Sequence, residues 1–152
     1  MIPRPTTDVL ILDCCRELTE EILPVLPDDT LKVRLIMTMT VLSNAAVRAA
    51  NEIAWMRDET QAMLDFARDV ARARPDDAVT AALAAAEAGP RDSLRLKDVV
   101  DVYESADRAF DAAQQAAQQA GAQEFIDRAG VLLRARIETE KQVMADYAVV
   151  GR

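Results

Sequence analysis

Histidine is absent from this chain of 152 residues. Histidine-ligated metal sites, Ser-His-Asp triads and imidazole acid–base chemistry are therefore excluded together. Glycine occurs four times and aromatic residues make up 4%, and runs of alternating Val, Ile, Thr and Tyr do not occur, so β-strands lack their usual material. Basic residues are outnumbered, 18 to 26, for a net charge of −8. That charge argues against DNA or RNA as the main partner, because such binding rests on Lys and Arg against phosphate, and against adhesion to anionic membranes. Nothing resembles a transmembrane span. The apolar start, Val9 to Leu12, is flanked by Asp8 and cut by Asp13, so it is not the apolar core of a signal peptide. Cys14 and Cys15 are neighbours; on a helix they point about 100° apart and cannot pair. They read as reduced thiols and place the chain in the cytoplasm.

What remains is an alanine-inflated hydrophobic fraction of 51% beside 29% charge. Alanine is the best helix former and glycine among the worst, so the chain reads as all-α. Its length suits one domain, 1–152, able to bury roughly 68–70% of the surface that its unfolded form exposes.

Proline and glycine divide the chain into helices. Residues 1–5 are extended. Thr6 or Thr7 starts a first helix with the apolar stripe Ile11, Cys14, Leu18, Ile22, ending before Pro24. Asp28 or Asp29 caps the second. No Pro or Gly follows until Pro75, and one straight helix over 30–74 would run to about 67 Å. The spacing of Asp58 and Gln61 resembles a capping box and predicts a break near 57–60. Residues 35–47 (LIMTMTVLSNAAV) are apolar nearly all round and read as the centre of the core. Pro75 opens a short Ala-rich helix closed by Gly89-Pro90. Ser93 then caps a helix to about Ala120, stopped by Gly121. The last helix starts near Ala122 and carries Ile126, Leu133, Ile137, Met144 and Ala148, with Gly130 a weak point. The expected architecture is a single-domain helical bundle of five or six helices: a core over 6–89 and a long C-terminal antiparallel hairpin over 93–148.

Several residue groups are candidates for function. Arg34, Thr38, Asn44, Arg48 and Asn51 recur at helical spacing beside Glu52, a polar line suited to contacting a partner or simply facing water. The seam Leu96, Val99, Tyr103, Ala106, Phe110, Ala113 keeps the 3-4 period of coiled-coil packing and suits a second copy of the chain. Glu17, Glu20 and Glu21 lack the spacing of a di-metal or pyrophosphohydrolase site, as do Glu138 and Glu140, and read as solvated faces. Arg91, Arg95 and Lys97 stand at a helix start, where anions can bind, but without a Gly-rich cradle they read as surface charge. Cys14 and Cys15 have no activating neighbour. No catalytic, cofactor or metal site is expected.

The segments Arg4-Pro5-Thr6-Thr7-Asp8-Val9-Leu10, Glu20-Glu21-Ile22-Leu23-Pro24-Val25-Leu26 and Leu31-Lys32-Val33-Arg34 resemble a family of small helical proteins. That family is encoded beside kinases of the aminoglycoside-phosphotransferase type and acyl-CoA dehydrogenases, and includes the small accessory subunit of the hydroxyacyl-CoA kinase of levulinate catabolism. The resemblance covers the first third of the chain, and Arg4, Pro5, Leu23, Pro24 and Arg34 match its pattern. Thr38 stands where the family has Asn, and Ala45-Ala46 where it has an Arg-Glu pair. It implies a non-catalytic accessory subunit that supports a phosphotransferase-like kinase or an acyl-CoA-handling enzyme, with a homodimer expected. Two other readings follow from the residues: a homo-oligomeric scaffold, and a binder of a small molecule within the bundle.

Overall fold

The computed structural model describes residues 4–144, and the first helix ends as a regular α-helix at Glu17, not at the stop expected before Pro24. Helix α1 is Thr7–Glu17, α2 Asp29–Ala73, α3 Asp77–Glu87, α4 Leu96–Gln119 and α5 Gln123–Val143; a π-helical turn (Leu18–Ile22) and a 3-10 turn (Leu23–Val25) follow α1. No strand occurs among the described residues, so the protein is an all-α helical bundle.

Local chemistry accounts for the boundaries. Asp28 Oδ1 accepts the free N–H groups of Thr30 (2.6 Å) and Leu31 (3.2 Å) at the start of α2. Asp76 does the same for Ala78 and Val79, at 2.9 and 3.0 Å, so the cap of α3 is the residue after Pro75. Ser93 does not cap α4, which starts at Leu96 after Arg95. Its hydroxyl accepts from the Arg95 N–H (3.2 Å) and donates to Asp98 (2.6 Å), fixing the approach to the helix instead. At the far end Gly121 takes φ +60°. The Ala122 N–H then reaches Ala117 O and the Gly121 N–H reaches Gln118 O, at 2.9 and 3.0 Å, closing the last turn. The expected end of the final helix near Ala148 lies outside the described residues.

The break expected near 57–60 does not form: α2 is continuous through that stretch. A helix without Pro or Gly stops only where something offers its backbone better partners, and these side chains have other duties. Glu59 faces Tyr103, and Thr60 is buried.

Two compact units make up the chain; the first draws its described residues from 4–52 and 139–144, the second is Ile53–Glu138. Helices α2 and α5 each contribute to both.

The second unit holds the core. Met63, Leu64, Phe66, Ala67 and Val70 of α2 pack with Val79, Leu83 and Ala86 of α3, with Ala106, Ala109, Phe110 and Ala113 of α4, and with Ala129 of α5. Phe66 is its centre, edge-on to Phe110 (5.1 Å between ring centroids) and to Phe125 (6.2 Å). Burying each such side chain contributes roughly 2–3 kcal/mol. The many alanines of α3 and α4 let these two helices approach closely.

In the first unit α1 lies against α2. Cys15 Sγ is 3.9 Å from Met39 O, and the Thr19 hydroxyl donates to Cys15 O (2.8 Å) while lying 3.2 Å from Met39 Sδ. Cys15 is buried and Cys14 exposed, the reverse of the stripe expected for α1. The expectation that 35–47 forms the centre of the core is also corrected. Ala46 is its one buried residue, and Met37 and Val41 are 65% and 67% exposed. A segment apolar on every side needs neighbours on every side, and the described residues leave Met37 and Val41 open.

Candidate interaction surface

Of the described residues in the first unit, only Cys15 and Ala46 are buried. Val9, Leu10, Leu12, Ile22, Val25, Leu31, Val33, Met37 and Val41 are all exposed. Val33, Met37 and Val41 lie at successive i, i+4 positions of α2 and so share one stripe of it. An exposed apolar stripe such as Val33, Met37 and Val41 is a common mark of a protein–protein contact.

Charge is segregated around this surface. Residues 7–22 hold Asp8, Asp13, Glu17, Glu20 and Glu21 against Arg16 alone, whereas 30–51 hold Lys32, Arg34 and Arg48 with no acidic residue. Arg16 is held by Asp13 (2.8 Å) and Lys32 by Asp29 (3.1 Å). Arg34 is exposed and pairs with no carboxylate among the described residues.

The polar line on α2 does not converge on a site. The Thr38 hydroxyl donates to Arg34 O and Asn51 Nδ2 to Val47 O, each at 2.9 Å, and Arg48 pairs with Glu52 at 3.3 Å. These bonds serve their own helix. Asn44 is half-buried. Arg34 and Arg48 remain as exposed charge beside the apolar stripe.

The seam on α4 is real but closes within the chain. Val99, Ala106, Phe110 and Ala113 are buried, the last three in the core of their own unit, and Leu96 is exposed. A second copy cannot use positions that are already filled, so this seam is withdrawn as an oligomer contact. Tyr103 is half-buried and donates to Glu59 Oε2 at 2.7 Å. Arg136 lies over its ring, 5.3 Å from the centroid, and bonds Asp107 at 3.0 Å. Burial, then the bond to Glu59, pushes the Tyr103 phenol well above the usual tyrosine range.

The basic cluster before α4 disperses. Lys97 pairs with Asp101 at 2.6 Å, Arg95 is exposed, and Arg91 reaches back to Gln61 of α2 at 2.9 Å. Among the described residues no group of three or more His, Cys, Asp or Glu could hold a metal ion, and no helix is long and apolar enough to cross a membrane.

The exposed stripe Val33, Met37, Val41 is not visible in the sequence, because hydrophobicity alone does not distinguish a buried face from an open one. No family model, curated protein or solved structure matches the chain.

Proposed function

We propose that this chain is a non-catalytic accessory subunit that docks through its first unit on a partner protein in the cytoplasm. The partner class is a phosphotransferase-type kinase or an acyl-CoA-handling enzyme. The observation that carries the docking reading is the uncovered apolar surface of α1 and the first half of α2, with Met37 65% exposed and Val41 67% exposed. Hydrophobic burial is the main driving force of association, and a surface of this extent is unfavourable in water until covered. The partner class rests on the N-terminal resemblance, whose matching positions Arg4, Pro5, Leu23, Pro24 and Arg34 fall in the same unit.

Co-purification with a kinase of the aminoglycoside-phosphotransferase type tests the reading. The wild type should associate and raise kinase turnover, and Met37→Glu with Val41→Glu should abolish both while the circular dichroism is unchanged. A pair that fails to associate, with turnover indifferent to the added chain, would sink it.

The charge segregation favours a second reading, self-association through the same unit. Two copies related by a twofold axis can set the acidic α1 of each against the basic 30–51 stretch of the other. Light scattering that finds a strict monomer at micromolar concentration removes that reading and leaves the first standing.

A further inference from the structure

A cavity of about 350 Å³ opens between α2 and the connection that leads from α3 into α4. Its size falls in the range of small-molecule sites. Arg57 of α2 and Arg91 of the connection both line it. Neither guanidinium pairs with a carboxylate among the described residues; Arg91 donates only to the neutral Gln61 Oε1, and Arg57 has no bonded partner. Thr60, which is 7% exposed, lines the same cavity. Its hydroxyl makes no hydrogen bond among the described residues, although no side-chain oxygen is both sealed from solvent and unpaired. It is therefore reached from the cavity. Open to the cavity and not engaged by its own helix, the hydroxyl is available to bond a ligand there.

Val99 and Val102 of α4 give the lining an apolar part, and Asp92 adds a single carboxylate. The connection itself is held in shape. Arg91 N–H bonds Gly89 O (2.9 Å), Ser93 N–H bonds Pro90 O (3.1 Å), and the Ser93 hydroxyl is engaged by Asp98. Gly89 presses on Val102 so closely that a Cβ there would stand 2.7 Å from its Cγ2. The cavity is thus framed by a loop of fixed conformation.

We propose that this cavity binds a small hydroxylated phosphate ester. Two unpaired guanidinium groups suit a phosphate, which accepts several charge-assisted hydrogen bonds at once. Thr60 and Gln61 supply further neutral partners. Asp92 repels a second anionic group and accepts a hydrogen bond from a ligand hydroxyl. Val99 and Val102 take the carbon body. The net charge of −8 works against long-range attraction of anions, so recognition resides in these groups alone. The site belongs to the second unit, apart from the docking surface, and stands or falls independently of it.

Calorimetric titration of the full chain with glycerol 3-phosphate, glycerate and inorganic phosphate tests the assignment. Glycerol 3-phosphate should bind. Arg57→Ala and Arg91→Ala should each weaken it by about tenfold or more, and Thr60→Val should weaken it without changing the fold. Asp92→Ala should weaken glycerol 3-phosphate but not inorganic phosphate, and Arg95→Ala, outside the cavity, should leave binding unchanged. Unaltered circular dichroism and melting temperature keep the arginine variants interpretable, since both side chains are exposed. Silence from glycerol 3-phosphate at millimolar concentration would overturn the proposal, as would binding indifferent to both arginines. Equal affinity for glycerate would overturn the phosphate assignment, and equal affinity for inorganic phosphate the role given to Asp92.

Discussion

The Tyr103 hydroxyl donates a 2.7 Å hydrogen bond to Glu59 Oε2 and so ties α4 to α2 where a helix break had been expected. Tyr103→Phe removes that bond and should cost about 1 kcal/mol, read as a lower urea midpoint with an unchanged slope. The same pair sets an alkaline signature. With its phenol held above the usual range, Tyr103 keeps its proton in the fold at pH values where the unfolded chain loses it. That stabilisation is complete below the ordinary tyrosine pKa of about 10 and is lost as pH rises through the folded value. Absorbance at alkaline pH should therefore show Tyr103 titrating late, and the stability gap between wild type and Tyr103→Phe should close as pH climbs.

Phe66 is 1% exposed and meets two other rings. Phe66→Ala leaves a cavity at the junction of three helices and should cost roughly 3–5 kcal/mol. Loss of this much stability should be visible as a collapse of the thermal transition, whereas Met37→Ala, on the exposed stripe, should barely move it.

Two glycines should respond in opposite directions to alanine. At Gly89 a Cβ would meet Val102 Cγ2 at 2.7 Å, and Val102 is a stiff, buried side chain. Gly89→Ala should destabilise the protein and distort the loop before α4. Gly130 sits inside α5, and a Cβ there meets nothing closer than Arg134 Nη1 at 3.5 Å. Gly130→Ala should stabilise the helix by about 1 kcal/mol. Thermal melts of the two variants check both signs.

Arg128 bonds Asp69 at 2.7 Å and lies over the rings of Phe66 and Phe125, at 5.9 and 5.5 Å from their centroids. The Arg128 bond is the main reason the Asp69 carboxyl sits below its usual range. A carboxylate shifted down stabilises the fold above the unfolded pKa of about 3.9, and that contribution is lost as pH falls through the folded value. Both side chains are more than a third exposed, so screening keeps the ion pair below about 1 kcal/mol. Arg128→Ala should lower stability at neutral pH by about 1 kcal/mol, most of it from the lost ring contacts, and should make stability fall less steeply on acidification.

Helix positions were legible because their stops are chemical. Pro27, Pro75, Pro90 and Gly121 each forbid or end a helix for local reasons that need no knowledge of the fold, whereas α1 ends at Glu17, well short of Pro24. The break at 57–60 was misread because Asp58 and Gln61 have the spacing of a cap, and spacing alone does not say whether a backbone needs capping. Periodicity likewise revealed that Ala106, Phe110 and Ala113 share a buried face, but not that the helices covering it belong to the same chain. The error over 35–47 has the same origin: hydrophobicity reports a preference for burial, and neighbours decide whether it is met. Arg91 read as surface charge in the sequence, and its contact with Gln61 was not legible there, since only folding brings a helix thirty residues away against that loop.

Cys14 is exposed and Cys15 buried, so two adjacent thiols amount to a single chemical handle. A maleimide dye added to the native protein should attach once, at Cys14, on the helix that borders the uncovered apolar stripe. The chain thereby carries its own attachment point for a reporter, and a change in that dye's polarisation can follow the arrival of whatever settles beside α1.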